Sequence, residues 1–216
     1  MSRNLTYQRD GISYPVVITI KAIKNIVFRY RGGTFFVSAP SLARDREILK
    51  YLDQFFVRLL ARGAPAPSPI ADGRMYLLGG LVDLHAGEEV KGAFLYEGGL
   101  YYKDDEDLKK KMRKLAKRYL EARVRFHETK MGIKEPYLVK IRDMKTRFGT
   151  NSRKTHALTF QLHLIHFRPD LIDAIVIHEL AHDSHFDHGR AFYDTVVKYC
   201  PEYRQLIKKI RRGEFA

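Results

Sequence analysis

The sequence predicts an α+β chain. A β-rich N-terminal lobe carrying one helix comes first, and a lobe with a small sheet and a histidine-bearing helix comes second. Three observations predict this. Short β-rich runs punctuated by glycine fill most of residues 14–102. Helical spacing takes over from Asp104. Arg168-Pro169 then opens an apolar helix that runs into VIHELAHDSHFDHGRAF (176–192).

The first element is β-rich. In YPVVITIKAIKNIVFRYRGGTFFVSAP (14–40) two or three such runs succeed one another, and Gly32-Gly33 between IVFRY and TFFVSAP is a hairpin signal. After Ser41, Leu42, Ile48, Leu49, Leu52, Phe55, Phe56, Leu59 and Leu60 recur at three- and four-residue steps, which predicts a helix. APAPSP (64–69) ends it and acts as a stiff connector. RMYLLGGLVDLHAG (74–87) and GAFLYEGGLYYK (92–103) form a second β-rich stretch.

The lobe border falls at 102/103, dividing the chain into 1–102 and 103–216, the two packed as one unit. DDED (104–107) opens a helix, where negative charge suits the dipole. Leu108, Met112, Leu115, Tyr119, Leu120 and Val124 give that helix one apolar stripe, with Lys and Arg opposite. Gly132 closes it. PYLVKIRDMKTRFGT (136–150) reads as strand then turn. THALTFQLHLI (155–165) reads as a strand with Leu158, Phe160, Leu162 and Leu164 on one side. Ile172, Ile175, Val176 and Leu180 give the next helix its buried face.

Composition excludes some classes. With 45% hydrophobic and 12% aromatic residues in 216, the chain buries a core and is not disordered. No apolar run approaches the roughly 18–20 residues of a membrane span, and the N-terminal residues lack the apolar stretch of a signal peptide. Cys200 is the single cysteine, so no internal disulfide forms, and a cytoplasmic location is the default expectation. The net charge is +14, densest in KKKMRKLAKR (109–118) and KKIRR (208–212). Such basic faces serve either solubility or binding to phosphates. No nucleic-acid-binding signature accompanies them.

The chemistry sits in HELAH (178–182). A His-Glu-x-x-His match arises by chance in roughly 2% of chains of this composition, so its context has to decide. On a helix, residues four apart lie one above the other, so His178 and His182 can reach one ion. Glu179 then stands beside the ligands, where a general base is needed. A third ligand cannot be His185 on the same straight helix, because residues 178 to 185 span about 10 Å of axis. The chain must turn back. Asp187 can cap a new helix starting at His188, which brings His188 to the ion and leaves His185 as a substrate-side or supporting group. Metzincins share this ligand spacing. They need Gly where His185 stands and a methionine turn downstream, and no methionine follows Met144.

These residues, with GRAFYDTVVKYCPEY (189–203), resemble the YgjP-like metallopeptidase domain family, whose relatives include SprT-like proteases. KTRFGTNS (145–152) is similar to that family's loop, and the SAP hairpin (38–40) and YLLG (76–79) follow its order. The resemblance implies a zincin-like catalytic lobe and a zinc-dependent peptidase. Zn2+ would be bound by His178, His182 and His188, with Glu179 as general base in the attack of water on an amide of a peptide or protein substrate. Phe148, Asn151 and Tyr193 stand where the family has Trp, Cys and Trp. Arg147 and Tyr193 are candidates for stabilising an oxyanion.

His85, His127, His156, His163 and His166 each fit local hydrogen-bonding or surface roles in preference to ligation; the strand phase of His163 also permits it to face the cleft, which is the less favoured reading. Cys200 fits a buried small apolar residue. Two alternatives stay open. One is a nucleic-acid-associated protein, either a protease on DNA-bound substrates or a non-catalytic binder. The other is a structural metal site without turnover.

Overall fold

Two tight turns shape the N-terminal sheet. Asp10-Gly11 and Gly32-Gly33 all take positive φ, the geometry that matches the twist of a hairpin. The computed structural model describes residues 2–63 and 67–216, so residues 64–66 of the expected APAPSP connector lie outside it. The contacts divide the chain into two units, Met1–Ala66 and Pro67–Ala216.

The first unit holds β1 (Ser2–Arg9), β2 (Ile12–Ile20), β3 (Val27–Arg31), β4 (Thr34–Ala39) and α1 (Asp45–Gly63). The strands lie in the order β1-β2-β4-β3, with β2 and β4 parallel and the other pairs antiparallel. Val16, Ile18, Phe35 and Val37 alternate inward and bury Ile48, Leu52, Phe56 and Leu59 of α1. The expected stripe of α1 holds at these positions. Leu42 does not join it: it precedes the helix and is 90% exposed.

The second unit opens with β5 (Ile70–Ala71), β6 (Arg74–Leu77), β7 (Gly80–Ala86), β8 (Phe94–Tyr96) and β9 (Gly99–Tyr102), ordered β5-β6-β7-β9-β8. The long helix α2 (Asp105–Met131) comes next, then β10 (Leu138–Arg142), β11 (Gly149–Ser152) and β12 (Ala157–Gln161). Then come α3 (Pro169–Ala181), α4 (Arg190–Tyr199) and α5 (Tyr203–Arg212). The contacts therefore do not divide at 102/103. The five-stranded sheet belongs with α2 and the turn before α3, because Met75 and Leu100 share one core with Leu108, Met112, Leu162 and Ile165. Leu78 and Gly79 also donate backbone N–H groups to the carbonyls of Ile165 and His166. A Cβ at Gly79 would fall 2.6 Å from Cβ of Arg168, so only glycine fits that approach.

Helix α2 forms as the sequence predicts. The Asp104 carboxylate caps the N–H of Asp107 at 2.8 Å, and Gly132 closes the helix at φ 74°. Its Arg123 forks onto Asp173 of α3 at 2.7 and 2.6 Å, which fixes one helix against the other. The strand expected over 155–165 is shorter than its apolar alternation suggests. β12 ends at Gln161, and Leu162–His166 winds into a 3-10 turn that still buries Leu162 and Leu164. α3 is buried almost all round, with Leu171, Ala174 and Ile177 joining the expected face, as befits a central helix. No helix among the described residues is long and apolar enough to cross a membrane.

Candidate metal centre

α3 starts at Pro169 and delivers His178 and Glu179 in its last turns, and His182 is the residue that ends it. His188 lies in the connection that returns from α3. It stands just before α4, whose capping residue is Gly189 and not Asp187. The new helix thus begins at Arg190 and not at His188, and Asp187 makes no side-chain cap. The turn-back itself occurs. One ring nitrogen each from His178, His182 and His188 lies within 4.8 Å of the others, a group that could hold a metal ion. The Nε2 atoms of His178 and His188 are 3.3 Å apart. Two nitrogens each about 2.0–2.1 Å from a tetrahedral ion are separated by about 3.3–3.4 Å, so this pair is spaced as two zinc ligands are.

In His182 and His178 the other ring nitrogen is already engaged. Nδ1 of His182 donates to the carbonyl of His185 at 3.0 Å, which leaves the Nε2 lone pair to the centre. His185 therefore supports the site through its backbone. The Tyr203 hydroxyl meets Nδ1 of His178 at 2.6 Å, and its ring stacks on the imidazole. Burial holds that hydroxyl protonated, well above the ordinary phenol range. Burial, and then the two neighbouring imidazoles, pushes His178 down to about 4, so it is neutral at pH 7, the form that binds metals. Two imidazoles oriented this way, with the exposed His188 as the third, match the ligand chemistry of zinc.

Glu179 is 5% exposed beside them. Desolvation raises its carboxyl to about 7, against the opposing field of Arg147. Two residues of β11 place it. Asn151 Nδ2 donates to the Glu179 carbonyl at 2.9 Å. Gly149 leaves the room the carboxylate occupies, since a Cβ there would sit 2.6 Å from Oε1. Asn151 thus has a hydrogen-bonding role of its own. Phe148 lines the cleft and packs edge-on against Phe167. The cleft measures about 560 Å³ and has the three histidines, Glu179, Arg147 and Tyr203 among its lining.

Tyr193 packs edge-on against Phe192, with its ring 6.4 Å from those of His188 and Tyr203. His163 does not face the cleft. It sits on the 3-10 turn, edge-on to His166. The remaining histidines have local partners: His85 stacks on Tyr101, His127 pairs with Asp173, His156 stacks on Tyr137, and His166 donates to the Tyr76 carbonyl. Cys200 is buried, with its thiol raised to about 11 by desolvation first.

Sequence reasoning misses the roles of Tyr203 and Gly149. The Pro-Glu-Tyr and Phe-Gly-Thr triplets are visible, but their partners lie 25 and 30 residues away in sequence. No local spacing rule links residues that far apart.

The family model described as YgjP-like, metallopeptidase domain matches residues 66–212. Among solved structures, the chain is similar to the metallopeptidase zymogen abylysin of Pyrococcus abyssi. The identity is 25%, covering 42% of this chain and 90% of that one, with a TM-score of 0.40. It is also similar to the metallopeptidase zymogen jannalysin of Methanocaldococcus jannaschii. Here too the identity is 25%, covering 42% of this chain and 96% of that one, with a TM-score of 0.38. No curated protein matches.

Proposed function

Because the chain belongs to the YgjP-like metallopeptidase domain family, we propose that it is a zinc-dependent peptidase, with His178, His182 and His188 as ligands and Glu179 as general base. One observation carries the reading: three imidazole nitrogens converge beside a buried carboxylate at the floor of an open cleft.

A zinc ion held there supplies Lewis-acid chemistry, lowering the pKa of water and polarising the scissile carbonyl. Glu179 takes the proton of the attacking water on its carboxylate and returns it to the leaving amine nitrogen. Gly149 and Asn151 fix where that carboxylate stands. Tyr203 and the His185 carbonyl fix the imidazole orientations, as partners of ligating histidines do. The same arrangement accommodates peptide backbone because the cleft is open and lined by both polar and apolar groups.

The deciding experiment combines metal analysis with a proteome-derived peptide screen. Purified protein should carry about one zinc per chain and cleave a subset of peptides, and His188→Ala should lose the metal. Wild type that takes up no zinc, or cleaves nothing while loaded, overturns the proposal.

Tyr203→Phe offers a finer check. The ring stack on His178 survives and the hydroxyl does not, so zinc affinity should fall about 10–100-fold. Competition against a chromophoric chelator reads this, and unchanged affinity would remove Tyr203 from the site.

A further inference from the structure

The cleft is electrostatically one-sided. Arg147 and Arg211 both line it, and Glu179 is its single acidic lining residue. Both arginines are exposed, and neither forms an ion pair among the described residues. By contrast Arg123, Arg125 and Arg212 are each paired with a carboxylate. An unpaired guanidinium is a ready partner for a carboxylate, through two parallel hydrogen bonds.

Position matters more than charge. Tyr203, Ile207 and Arg211 recur at four-residue steps along α5, and all three line the cleft. Tyr203 touches His178, so this stripe leads outward from the histidine centre. Arg211 stands two turns along, about 12 Å of axis, and its side chain leans back toward the helix N-terminus. An extended peptide covers that distance in about three to four residues. Arg147 reaches the cleft from a different element, the segment leading into β11 one residue before Phe148, where its charge acts on Glu179.

We propose that the cleft selects peptides bearing an acidic side chain within about three residues of the scissile amide, held by Arg211 and Arg147. The inference rests on the peptidase reading and names its substrate class.

The test uses the full chain carrying Glu179→Gln, loaded with zinc, and fluorescein-labelled peptide pairs that differ only by Glu against Gln. The variable position is stepped one to three residues either side of the cleavage point. At one or more positions the Glu peptide should bind at least about tenfold tighter, the scale of one charge-assisted pair. Adding Arg147→Gln and Arg211→Gln should bring that ratio close to one. Adding Arg118→Gln instead, on the exposed face of α2 and outside the cleft, should leave it intact.

Equal or unmeasurable affinity at every position overturns the proposal. So does a ratio that survives the double variant, or one that Arg118→Gln lowers as far, since attraction to overall charge would then explain it. Wild-type turnover of the same peptides separates the two readings. Cleavage without acidic preference sinks this inference alone, whereas selective binding with no cleavage of any peptide sinks the peptidase reading and leaves acidic recognition standing.

Discussion

Glu179→Gln is expected to keep zinc and lose about 10²–10⁴-fold in kcat/KM, the range that general-base catalysis contributes. The substitution is nearly isosteric, so the packing that leaves Glu179 5% exposed is preserved. The amide can accept a hydrogen bond from water but cannot take its proton. Replacing a buried carboxyl by a neutral amide also removes a desolvation cost, so thermal stability should hold or rise. Turnover of the best peptide, metal content and melting temperature, measured together, decide the matter. A variant that retains zinc and stays within tenfold of wild type would take Glu179 out of the mechanism. One that loses zinc would mean that the carboxylate helps hold the ion.

The second large effect lies one element away. Gly149→Ala introduces a methyl group 2.6 Å from Oε1 and 2.7 Å from Cγ of Glu179. Gly149 has no positive φ, so its backbone tolerates alanine, and the three nearest atoms the methyl group would meet all belong to the Glu179 side chain. A side-chain end yields more easily than backbone, and Glu179 is displaced. A shift of about 1 Å in a catalytic group costs on the order of 100-fold, so kcat should fall by that much with little change in zinc affinity. Steady-state kinetics alongside a chelator titration read both. If kcat is unchanged, the carboxylate position is not what limits the reaction.

The two positions show what the sequence could and could not disclose. The helix bearing His178, Glu179 and His182 is legible because Pro169, the apolar spacing and the i, i+4 histidines all report on the same local geometry. The return of His188 comes from length alone, since a straight helix cannot bring a third histidine to one point. Its cap is not legible, because Gly189 leaves no side-chain signature and Asp187 carries a false one.

β1 is hidden in the sequence because SRNLTYQR buries only Tyr7, and its pairing is set by the Asp10-Gly11 turn. The run Leu158 to Leu164 looks like one strand because the 3-10 turn after Gln161 keeps Leu162 and Leu164 buried by a different geometry. Contacts between distant segments, such as Asn151 on the Glu179 carbonyl, have no sequence period at all. They arise from packing β11 beside α3.

The Arg123–Asp173 fork makes the histidine-bearing helix α3 depend on α2, through an Arg123 that is not among the residues that line the cleft. Loss of Arg123 leaves the part-buried Asp173 with only the His127 imidazole beside it, at a cost on the order of 2 kcal/mol. Out of a marginal folding free energy, that is enough to change the amount of native protein a cell maintains while each surviving molecule works at its normal rate. Inherited variation at Arg123 would therefore register as abundance and not as chemistry, fifty residues before the aspartate it holds.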